Sequence, residues 1–319
     1  MARIAVNNSS LVVVGGRVIL LLYPIGQAAA VRAALRDGSL APMDSGLVFA
    51  AIAPHGDLAI PEAVGDEDAR LAQATQRGMV ELGRRFAEMA VDTVVIATPH
   101  NVHIEGRIAV GTAARMAGEL ADTPVPIALD CRVDRPLARA LLGALTAADI
   151  PAVSFDPAGA DAADTIIPMD WGTLIPLWFM GGRDANVAVV PIAPARDLDA
   201  QAHVRAGAAI AAAAGDSGKR VAFIASADHG HGHDAGGPYG YSATSLEYDR
   251  RVVEIVRAGD LAPLADFPRG FVKDALADSW WQMLMLHGAA PGWSAEVLSY
   301  EAPTYFGMMC AAFTPPERA

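Results

Sequence analysis

Apolar positions along the chain fall into two periods. Runs at Leu47–Ala53, Asp92–Ala97, Asn186–Ile192 and Val221–Ser226 are short, mostly apolar and bounded by glycine, proline or charge, which predicts buried strands. Between them, apolar residues recur at helical spacing. Leu71, Ala74, Met79, Leu82, Phe86 and Met89 mark a helix within 66–90, and Leu137, Leu141, Leu142 and Leu145 mark one over 134–148. Further helices are predicted over 198–214, 245–257 and 271–287, and short strands at 107–111, from Val153, and over 308–313. The apolar, proline-bearing stretch 165–176 reads as a loop packed into the core. Alternating strands and helices predict the α/β class: a single αβα domain around a mixed, largely parallel sheet, with its site at the strand ends.

Residues 1–42 read as an N-terminal extension. The run Leu11–Pro24 is interrupted by Gly15, Gly16 and Arg17, too broken for a membrane span, which takes about 20 apolar residues. A strand-turn-strand followed by a short helix, or sequence upstream of a start at Met43, accounts for it better than a signal peptide, since a charge stands in mid-run.

Composition narrows the class of function. A net charge of −12 argues against a nucleic-acid surface. Cys131 and Cys310 are the only cysteines, which excludes a disulfide framework and a thiolate metal cluster and suits a reducing cytoplasm.

Histidines carry the chemistry. Three of the eight (His229, His231 and His233) alternate in the loop after the 221–226 strand, and His55 and His100 follow two other predicted strands. Strand ends on one edge of a sheet bring distant residues together. Imidazoles with a carboxylate, and no cysteine, are ligands for zinc or non-haem iron. Among 36 acidic residues Glu247 has one local merit: it opens a helix just after the histidine loop. Asp57, Asp228 and Asp234 read as loop-capping or ligand-orienting groups, and His203 and His287 as structural residues on helices.

Pro54-His-Gly-Asp57, Thr98-Pro-His-Asn101, Ala225–Asp234, Gly237-Pro-Tyr-Gly240, Glu247-Tyr-Asp249, Asp170–Leu177 and Tyr300–Gly307 form a set that resembles the class III extradiol ring-cleaving dioxygenases. More narrowly, the set is similar to the LigB-like family of catalytic chains typified by protocatechuate 4,5-dioxygenase. The resemblance covers about residues 45–315 and implies a catalytic domain over 43–319. It implies an oxidoreductase holding Fe(II) through His55, His100 and Glu247, with His231 as acid and base, acting on a small aromatic catechol and O2. A homo-oligomer is expected, with a separate small subunit as in some relatives. Nucleic acid and membrane are not expected partners.

One position departs from the family pattern. Several members place a proton-donating histidine where this chain has Trp171, so His103, His229 or His233 is left to take that role, or it goes unused. Trp171 and those three histidines, with Tyr305 of the last motif, form the expected substrate-contacting set. Two other readings share these residues: a zinc-dependent hydrolase on the same ligands, and a binding protein of the same fold without catalysis.

Overall fold

The computed structural model describes residues 46–157 and 164–316, together with the backbone of three strands near the N-terminus. Those three, β1 (Ala5–Val6), β2 (Ser9–Val14) and β3 (Arg17–Leu21), pair antiparallel, so the two strands expected there are present. The short helix expected after it, and Met43, lie outside the described residues.

The main body is an eight-stranded sheet. Its strands are β4 (Gly46–Ala53), β5 (Thr93–Ala97), β6 (Ile108–Gly111), β9 (Ala152–Phe155), β11 (Ala188–Ala193), β12 (Arg220–Ser226), β13 (Ser294–Glu301) and β14 (Met308–Thr314). A smaller sheet of β7 (Arg115–Glu119), β8 (Ala128–Arg132) and β10 (Ile166–Pro168) lies apart in hydrogen bonding. The large sheet is ordered β13-β14-β4-β12-β5-β11-β6-β9. Its four central strands are parallel, while β14 and β6 run against them. The α/β reading with a largely parallel sheet therefore holds.

Helices cover both faces. α2 (Arg135–Ala147), α4 (Ala200–Asp216), α5 (Ala243–Ala258) and α7 (Trp280–Ala289) share one apolar core, while α1 (Gln73–Glu88) and α3 (Trp171–Phe179) share the other with the small sheet. Strand β12 shows why the run is uniformly apolar: Val221, Phe223 and Ala225 enter the first core, and Ala222 and Ile224 the second. Fully burying a side chain such as Phe223 contributes about 1.5–3 kcal/mol.

Two predicted elements differ. The stretch expected as a core-packed loop holds β10 and then α3, with Pro176 inside the helix. Asp170 starts that helix by accepting from the Thr173 backbone N–H at 3.0 Å. The helix expected over 271–287 is two helices, α6 (Arg269–Asp274) and α7, separated by a turn at 275–279. Leu276 takes φ +54° there, a left-handed conformation that ends α6 with neither glycine nor proline to announce it.

Among the described residues no helix is long and apolar enough to cross a membrane.

Candidate metal centre and its cleft

Adjacent parallel strands β4, β12 and β5 end together, with Ala53 level with Ser226 and Ala97 level with Ala225. The loops carrying His55, the alternating histidines and His100 therefore leave the sheet side by side. The turn between α6 and α7 lies over the same edge, where Gln282 of α7 donates from Nε2 to the Ser226 carbonyl at 3.0 Å.

His55, His100 and Asp278 meet there. The Nε2 atoms of the two histidines are 3.0 Å apart, and Asp278 Oδ2 lies 3.6 Å from His55 Nε2 and 3.2 Å from His100 Nε2. Donor atoms bound to one metal at about 2.0–2.2 Å stand roughly 3.0–3.6 Å apart, so this triangle fits a single ion. Ring orientation is set from behind. His55 Nδ1 pairs with Ser226 Oγ at 2.9 Å, and that hydroxyl donates to the Gly172 carbonyl. A Cβ on Gly172 would stand 2.7 Å from Thr98 Oγ1 and 3.2 Å from the His100 ring, so only glycine lets α3 approach this closely.

Electrostatics favour a cation. Burial alone would lower the His55 pKa, but the charges of Asp228 and Asp170 and the hydrogen bond and charge of Asp278 raise it to about 9. Burial likewise pushes Asp278 up, but the imidazoles of His100 and His55 hold it far below the usual carboxylate range. Asp228 accepts the His55 backbone N–H at 3.0 Å and lies 3.4 Å from its ring. Asp278 Oδ1 is buried and unpaired in protein contacts, as fits a carboxylate arranged for an ion or water.

A cleft of about 660 Å³ opens over the triangle, lined by His100, Asp278, His231, Tyr239 and Trp281 among others. His231 stacks on Phe306, with ring centroids 5.5 Å apart and planes 20° apart. Its Nδ1 is buried with no partner.

A family model for the catalytic LigB subunit of aromatic ring-opening dioxygenase matches residues 49–312. The chain belongs to the LigB family. It is 24% identical over 251 residues to protein CA_C1420 of Clostridium acetobutylicum, covering 78% of this chain and 53% of that protein. The chain thus spans about half the length of that curated relative. It also resembles the crystal structure of the uncharacterized protein JW3007 from Escherichia coli K12. The TM-score is 0.56 and the identity 18%, over 83% of this chain and 99% of the other, a likeness of fold alone.

Within this LigB-family chain the expected residues separate. His100 and His231 line the cleft, and His55 meets His100 at its Nε2. Glu247 does not join them: Asp278 is the carboxylate that meets the two imidazoles. On α5, Glu247 is held by Arg250 at 2.8 Å and Arg251 at 2.6 Å, and those side-chain hydrogen bonds lower its pKa to about 2. These are the ordinary three- and four-residue pairings of a solvent-facing helix. Glu247→Gln is expected to leave metal content, read by elemental analysis after reconstitution, unchanged.

The other expected contacts scatter. Trp171 lies over His100, ring centroids 4.4 Å apart at 30°, half-exposed at 50%. It covers a candidate ligand as a packing residue does. Tyr305 packs against His231 and Tyr239, centroids 6.0 and 5.9 Å away, and so backs the histidine. His229 is fully buried, with Nδ1 3.0 Å from Ser279 Oγ, which leaves it no face for substrate. His233 turns to Asp249 at 2.8 Å, and His103 is exposed and lines neither cleft that touches His100.

Proposed function

We propose that the chain is a non-haem Fe(II)-dependent extradiol dioxygenase that opens a catechol-type ring with O2. The observation that carries this reading is the convergence of two imidazoles and one carboxylate, 3.0–3.6 Å apart, beside an unpaired histidine on a shared cleft. Ferrous iron held by His55, His100 and Asp278 would supply open positions for both catechol oxygens and for O2. The residues of the chain supply the rest. His231, which lines the cleft, takes a hydroxyl proton from the bound catechol and returns it as the ring opens. Phe306 and Tyr305 fix its ring. Trp171 shields His100 from solvent and has no proton to exchange near neutral pH.

The cleft also bears on the substrate. Arg196, Arg269 and Lys273 line it against a single lining carboxylate, Asp278, in a chain whose net charge is −12. Arg196 and Arg269 donate to the backbone carbonyls of Pro99 and Asp197, at 3.3 and 3.0 Å, which leaves their charge uncancelled by these partners. About 660 Å³ lies within the range of pockets that hold ligands of drug size, roughly 300–1,000 Å³. The substrate expected here is an aromatic diol extended by an acidic arm. Lys273→Ala should raise KM for an acidic catechol about tenfold with little change in kcat, and leave a neutral catechol unaffected. Steady-state oxygen uptake with both substrates checks it.

The deciding experiment is anaerobic reconstitution with Fe(II), followed by oxygen uptake and a search for yellow ring-opened products across a catechol library. Oxygen uptake matched to product in equal amounts supports the reading. A zinc-loaded protein that consumes no oxygen and cleaves an ester or amide turns the same ligands to hydrolysis. A protein that takes up no metal turns the fold to binding alone.

A further inference from the structure

The loop that carries His231 is held at every backbone N–H from 229 to 233. His229 donates to the Gly307 carbonyl at 2.8 Å, Gly230 to Asp249 Oδ1 at 2.7 Å, and His231 to the Ala275 carbonyl at 3.2 Å. Gly232 donates to Ser245 Oγ at 3.0 Å and His233 to the Tyr305 carbonyl at 3.0 Å. Five consecutive donors thus reach three separate parts of the chain: the segment before β14, helix α5, and the turn that holds Asp278. Four of the five acceptors are neutral. The fifth is the carboxylate of Asp249, 1% exposed, and a charge-assisted bond in such a buried place is the strongest of the set.

Asp249 is itself held on its other oxygen. Oδ2 accepts from His233 Nε2 at 2.8 Å and from the Tyr300 hydroxyl at 2.7 Å. Burial and the charge of Asp249 push the Tyr300 phenol pKa well above its usual range, which keeps it a donor. A Cβ at Gly307 would come within 1.9 Å of Asp249 Oδ2, so the last motif of the chain is shaped to admit this carboxylate. Position explains why Asp249 and not Glu247 faces inward. Two residues along a helix is about 200° of rotation, and Glu247 occupies the arginine-paired side.

We propose that Asp249 is a positioning residue for the site: it fixes the amide between His229 and His231 and so sets the His231 imidazole over the metal-site cleft, with His233 and Tyr300 orienting the carboxylate. The consequence for turnover rests on the reading of His231 as the proton carrier; the consequence for the loop does not. An asparagine at 249 offers one acceptor oxygen and would turn its amide N–H₂ towards either Gly230 or the His233–Tyr300 pair.

The test uses the full chain reconstituted with Fe(II), in Asp249→Asn and in the double variant His233→Ala/Tyr300→Phe. Hydrogen exchange of the 229–233 amides, read by mass spectrometry, should accelerate at least tenfold in Asp249→Asn and less in the double variant. Expressed per bound iron, kcat should fall at least tenfold with KM within threefold, whereas lost folding alone would lower bound iron and leave kcat per iron intact. Unchanged exchange at 229–233 overturns the proposal, and so does kcat per iron within threefold of wild type. If Asp249→Asn does not fold, the double variant decides: faster loop exchange supports the proposal and wild-type exchange overturns it. If wild type turns over no catechol, the dioxygenase reading fails by itself, and the exchange measurement still decides the role of Asp249.

Discussion

His231→Ala is expected to lower kcat by about 10²–10⁴-fold, the range a positioned acid–base group contributes, while leaving the bound metal in place. The geometry separates the two effects. His231 lines the cleft with His100 and Asp278 but stands outside the triangle of donor atoms that closes between His55, His100 and Asp278. Its ring is held by Phe306 and backed by Tyr305, and its backbone N–H is tied to Ala275 whichever side chain is present. Truncation therefore removes an imidazole and little else. Elemental analysis of the reconstituted variant should match wild type, and single-turnover oxygen uptake should show the loss. KM should change less than kcat, because the metal ligands and the cationic lining of the cleft are untouched. A variant within a few-fold of wild type would remove His231 from the mechanism and leave proton transfer to solvent.

The strands were legible because the sheet is buried on both faces: a run such as Val221–Ser226 has no alternative as uniformly apolar sequence bounded by turns. Three histidine-bearing strand ends were legible for a topological reason, since ends of parallel strands share an edge. What sequence could not give was the carboxylate of the candidate metal site. Asp278 lies in a turn without glycine or proline, inside an apolar stretch that reads as one continuous helix from Phe271 to His287. The break is made by tertiary partners: the Ala275 carbonyl accepts from His231 N–H and from Ser245 Oγ, and the Ala277 N–H reaches back to Val272. Glu247 was attractive by its nearness in sequence to the loop, yet its neighbours Arg250 and Arg251 already hinted at a solvent-facing pairing. The role of Asp249, two residues on, was hidden for a related reason. Its partners Gly230 and Tyr300 lie 19 and 51 residues away in sequence and come together only in the folded chain.

Asp278→Asn is expected to weaken metal binding by at least 10²-fold. Losing a residue that merely orients a ligand costs about 10–100-fold in metal affinity, and Asp278 is one of the three donors of the candidate site. Asparagine keeps the size of the side chain but removes the negative charge that balances His55 and offers a weaker oxygen. The same charge governs pH dependence. In the metal-free protein His55 is raised to about 9 by Asp228, Asp278 and Asp170 against the effect of burial, so its imidazole carries a proton at pH 7.5. A metal ligand must be neutral, so binding at that pH should release close to one proton from His55, and apparent affinity should rise about tenfold per pH unit up to roughly pH 9. Calorimetry in two buffers of different ionisation enthalpy reads the released proton directly. In Asp278→Asn the His55 pKa loses a hydrogen bond and a charge that raise it, so both the released proton and the slope of affinity with pH should diminish. Wild-type affinity in that variant would take Asp278 out of the ligand set.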